Sequence, residues 1–157
     1  MNEFTAKKLG EVLAFAKVGR ETIEKGLGGF TQSFGEERVK EILESINSHT
    51  DLIHAIADSN SRLDVVEKKL ESTSNKLREM RDMYIGDEWD NPTELLEWSG
   101  FFEGAALVHW SLVQGAAEET GNETLKSLAT QGISFHKNLL NEIEGLLHSV
   151  GAEKSKI

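Results

Sequence analysis

The sequence predicts an all-α fold, an up-and-down antiparallel bundle of four to five helices. Three observations carry this reading. Apolar residues recur at three- and four-residue spacing along most of the chain, and nowhere with the two-residue alternation of a half-buried strand. Breaks rich in Gly, Asp, Asn or Ser fall near residues 30, 60, 88 and 121. Connections that short favour antiparallel neighbours. At 157 residues the chain is expected to form one domain, with residues 1–151 as its helical body and 152–157 as a polar tail.

The first helix is expected over residues 3–27, where Phe4, Leu9, Val12, Leu13, Ala16, Ile23 and Leu27 form a stripe. Gly26, Gly28 and Gly29 end it, and Phe30 and Phe34 read as hydrophobic plugs on a turn. A second helix spans about 33–58. Val39, Ile42, Ile46, His49, Ile53 and Ile56 follow a heptad seam. Asp58, Ser59, Asn60 and Ser61 are weak helix formers that break it, and Ser61 with Asp64 resembles a capping box. The alternative is one continuous rod, since Ile42, His49, Ile56, Leu63, Leu70, Leu77 and Tyr84 are spaced by seven.

The third helix, to about Ile85, carries one apolar stripe among Lys, Glu, Arg and Ser, as a solvated outer helix does. The acidic loop Gly86–Asp90 follows, anchored by Trp89. Asn91 is the expected N-cap of a fourth helix, with Pro92 at its first position and Gly121 as its stop. This segment holds Trp98 and Trp110 and reads as the element around which the others pack. Gly100, Gly104 and Gly115 each lower helicity by roughly 1 kcal/mol, which suggests close helix contacts at those positions. Asn122 caps a fifth helix, expected to run to about Val150 and stop at Gly151.

The net charge of −10 argues against nucleic acid and anionic membrane as partners. No cysteine is present, which excludes disulfides, zinc–thiolate sites, iron–sulfur clusters and cysteine nucleophiles. The segment after Met1 has no apolar core of the kind a signal peptide needs, so the expected location is cytoplasmic. Catalytic templates fail. Gly26-Leu27-Gly28-Gly29 follows a helix where a phosphate loop would follow a strand, and no serine sits in an elbow context.

One constellation could carry chemistry. His49, His109 and His136 fall in apolar stripes. Counted from Gly121, His109 and His136 lie on facing helices at levels differing by about 4.5 Å. Glu103 and His109 each sit 60° from the line through Ala106, so both could flank an inward-facing small residue. Counting from the turn near Thr31 puts His49 level with Ala14, with Glu11 as the nearest acid on the first helix. His49, Glu103, His109 and His136 are therefore the candidate ligands of a divalent metal. Taken singly, each buried histidine is equally explained as a hydrogen-bonded core residue.

Glu103, an alanine-ended helix, a short turn, Leu128-Ala129 and inward His136 resemble the second half of ferritin-like, rubrerythrin-type carboxylate bundles. The resemblance covers about fifty residues, and it implies a ferritin-like general architecture. The Glu-x-x-His motif of that family is missing, because Ile133 and Ile46 stand three before His136 and His49. The count of inward histidines is also similar to that of DinB-like bundles, which hold one metal through three histidines.

Two functional expectations follow. One is a non-enzymatic bundle working as a homo-oligomer or by binding another protein, motivated by apolar excess, small-residue faces and absent catalytic motifs. The other is a bundle binding a metal or small cofactor through the three histidines and Glu103.

Overall fold

A computed structural model describes the whole chain, Met1–Ile157, as six helices with no strand. They are α1 (Glu3–Lys25), α2 (Leu27–Phe34), α3 (Glu36–Ser59), α4 (Leu63–Ile85), α5 (Pro92–Thr120) and α6 (Glu123–Lys154). Helices α1, α3, α6 and α5 form a ring in which each is antiparallel to its neighbours. Pairs at the same level show this: Arg20 with Asn47, Arg38 with Glu142, Glu103 with His136, and Phe15 with Phe102. No helix is long and apolar enough to cross a membrane.

Several ends form for the local reasons the sequence suggests. The Asn91 side chain accepts from the Thr93 and Glu94 amides at 3.1 and 3.4 Å, Pro92 takes the first helical position, and Gly121 closes α5 at φ 65°. Asn122 accepts from the Leu125 amide at 3.0 Å. Helices α3 and α4 are separate. Ser61 turns the chain at φ 56°, and the Asn60 side chain donates to the Ile56 carbonyl at the end of α3. The expected capping box does not form. Arg62 is the N-cap of α4 without a side-chain bond, because Ser61 is occupied in the turn.

Four features differ from expectation. The segment around Phe30 is a helix, α2, which brings the count to six. Its buried Phe30 and half-buried Phe34 close one end of the ring. Helix α4 runs antiparallel to α3 as expected, but it packs chiefly on α1, to which it lies parallel. Contacts rise together in number along both: Gly10 meets Val66 and Lys69, and Glu21 meets Arg78 at 2.8 Å. The physical reason is Gly10, where a Cβ would sit 2.7 Å from the Val66 carbonyl oxygen, so only glycine allows the approach. Consequently the most enclosed element is α1, not α5. Every residue from Leu9 to Ala16 is buried, and the one charged residue among them, Glu11, is paired with Lys8 and Lys69. Helix α6 passes Gly151 and ends at Lys154, although residues 151–157 are all exposed.

The glycines of α5 do not mediate close contacts within the molecule. A Cβ on Gly104 or Gly115 meets nothing within 4 Å, and one on Gly100 only just touches Ile143. The tight contact between α5 and α6 is made from the other helix. A Cβ on Gly132 would lie 2.5 Å from the Trp110 ring.

Candidate functional site

The ring of α1, α3, α5 and α6 encloses a cavity of about 40 Å³, closed at one end by Phe30 and Phe34 of α2. Fifteen of its twenty-one lining residues are hydrophobic, so its polar groups stand out. Thr22 and Ser99 lie toward α2, and the ionisable groups lie at the opposite end. His49 of α3, Glu103 of α5 and His136 of α6 all line the wall there.

His136 and Glu103 form a pair, Nδ1 to Oε2, with both residues about 6% exposed. This bond fixes the imidazole. In the neutral ring Nδ1–H donates to the carboxylate and Nε2 becomes an acceptor; in the imidazolium Nε2–H is a donor. His49 sits beside this pair with its ring edge-on to Phe135 at 5.3 Å and to Trp110 at 6.2 Å. Burial first, and the neighbouring His136 second, hold the His49 ring below the ordinary histidine range. It is therefore neutral at neutral pH. Two indole donors complete the wall. The Nε1 atoms of Trp98 and Trp110 are buried and have no hydrogen-bond partner in the protein.

The expected four-residue constellation is thus divided. His49, Glu103 and His136 share the cavity, and His109 does not. Its Nδ1 lies 2.7 Å from the Ala105 carbonyl of its own helix, and its ring packs on Phe15 at 5.0 Å. The cause is helical geometry. Glu103 and His109 flank the line through Ala106 on opposite sides, about 120° apart. On a helix with two inward neighbours, one side meets α6 and the other meets α1. Glu11 also leaves the site, because it faces α4 and pairs with Lys8 and Lys69. No group of three or more His, Asp or Glu side chains is placed to hold a metal ion. Glu103 in particular is already the hydrogen-bond partner of His136.

Trp110 and Phe135 are wall residues that the histidine pattern does not identify. A signal for Trp110 exists in the sequence: Trp110 and Gly132 are equally distant from Gly121, so a hairpin sets the large ring against the missing side chain. No protein-family model, curated protein or solved structure matches this chain.

Proposed function

We propose that the protein works as a non-enzymatic helical bundle that pairs with a second copy of itself through the outer face of α5. The observation that supports this reading is an uncharged exposed stripe on that helix. Phe101, Val108 and Leu112 are 65%, 59% and 44% exposed, and Gly104, Ala105 and Ser111 lie between them on the same face, with Gly115 just beyond. A contiguous apolar face of this kind on a soluble domain marks an interaction surface. Exposed Met80, Met83 and Tyr84 of α4 extend it, with Tyr84 packed edge-on to Phe101 at 5.3 Å.

The order of sizes along the stripe favours self-pairing over another partner. In an antiparallel pair centred on Val108, Phe101 of one copy meets Gly115 of the other, and Gly104 meets Leu112. Val108 meets its own copy on the axis, Phe101 and Leu112 each face a glycine, and the contact is the same from both sides, as a two-fold interface requires. A neutral face is also the surface on which two chains of charge −10 repel each other least. Glu97 and Glu119 bound the stripe and would approach each other at its rim, so association should strengthen with salt.

Sedimentation of the purified protein across a concentration series tests this. The expected result is a dimer that Val108→Glu converts to a monomer with unchanged helicity, because the two new carboxylates meet at the axis. A monomer at all concentrations, or a dimer indifferent to Val108→Glu, would remove the proposal.

A further inference from the structure

We infer that the central cavity is a binding site for a small neutral molecule with an apolar body and a single hydroxyl group, a short-chain alcohol, whose hydroxyl sits among His136, His49 and Trp110. The inference is independent of pairing through α5, because the cavity lies inside one copy.

The volume comes first. About 40 Å³ is a few times the roughly 10–15 Å³ that one water needs. Most of the lining is apolar, so water alone would find few partners along it. An occupant with an apolar body suits the remainder, along Ala16, Ile42, Leu139 and Ile143 toward Phe30. Between His49 and Val39, both in the wall, α3 advances about 15 Å, so the site is long and narrow. A slim chain matches that shape better than a fused ring system.

The polar end selects the head group. Trp110 brings a buried indole N–H with no acceptor, and leaving such a donor unpaired is costly. His136 brings Nε2, which accepts in the neutral ring and donates in the imidazolium. A hydroxyl both donates and accepts, so it satisfies Nε2 in either state while its lone pair takes the Trp110 N–H. A carboxylate head would set a second anion beside Glu103, and an ammonium head has no lone pair for the indole. A cation held by coordination lacks a set of three donors.

The three tryptophans supply the test. Trp98 and Trp110 line the cavity, whereas Trp89 lies in the loop before α5, under Lys25 and Arg81. In ¹⁵N-labelled protein the three indole N–H signals report the two locations separately. 1-Pentanol is titrated against the full chain, and pentanoate in parallel at neutral pH. The expected result is a saturable shift of the Trp98 and Trp110 signals with Trp89 unmoved, and pentanoate binding at least about tenfold more weakly for its anion beside Glu103. Ala16→Met fills the middle of the cavity and should abolish the shifts. Shifts that fail to saturate, equal movement of Trp89, pentanoate binding as tightly as pentanol, or undiminished binding by folded Ala16→Met would each overturn the assignment. If Ala16→Met does not fold, the wild-type titration decides alone.

Discussion

Gly132 of α6 lies flat against the indole of Trp110 on α5, leaving no room for even one carbon between them. Trp110 is only 1% exposed and is held from the far side by its neighbours in the core. Gly132→Ala should therefore destabilise the protein by about 1–3 kcal/mol, despite the better helix propensity of alanine. Urea unfolding measures it. An increase in stability would mean that the ring is free to move.

Gly10 and Gly104 should respond in opposite directions. At Gly10 the atom in the way is a backbone oxygen of α4, which cannot swing aside as a side chain can. Gly10→Ala should cost about 1–3 kcal/mol by forcing α4 off α1. Gly104 faces open space, so Gly104→Ala should gain up to about 1 kcal/mol of helix propensity in the monomer. Paired unfolding curves at low protein concentration separate the two, and equal signs would contradict the packing described.

The Glu103–His136 pair links α5 to α6 in the interior. Replacing His136 alone by Leu leaves a buried carboxylate without its partner and should cost about 3–5 kcal/mol. Replacing both by Leu should recover much of that loss, since a packed apolar pair needs no desolvation. A double-mutant cycle showing simple additivity would argue that the two side chains do not interact.

His49 makes stability depend on pH. Its folded pKa is lowered from 6.5, mainly by burial. The unfolded chain then binds the proton more readily, so the contribution of this group is full above pH 6.5 and is lost as pH falls below it. His49→Phe should flatten the stability profile between about pH 7 and pH 5 relative to wild type, because it removes one group that must charge on unfolding. Parallel thermal melts across that range check it; superimposable profiles would show that His49 does not contribute.

His109→Leu should change stability by no more than about 1 kcal/mol. Its ring nitrogen bonds only its own helix, and leucine can keep the contact with Phe15. A large loss in chemical unfolding would reveal a role beyond that packing.

The features legible in the sequence were the local ones. Asn91, Pro92, Gly121 and Asn122 act within a turn of themselves, so their residue types suffice to place helix ends. The break at Asp58–Ser61 is read the same way. What sequence spacing could not reveal was which faces meet. Gly104 and Gly10 look alike in a helical pattern, yet only Gly10 has another backbone against it. Level counting from Gly121 put His109 near the depth of His136, yet the residue of α5 that His136 meets is Glu103. It failed for His109 because level says nothing about which of two neighbours a side chain meets.

The enclosure of α1 has a consequence for how the chain acquires its structure. The helix that the others surround is made before all of them, with the apolar run Val12–Ala16 uncovered until they follow. Its contacts with α5 join residues far apart in the chain, such as Phe15 and Phe102, 87 positions apart. Helical proteins are usually fast folders because their contacts are local. Here α3 and α4 can cover part of α1 early, but its α5 side waits until α5 has been synthesised, and that interval is when a nascent chain most needs protection from aggregation.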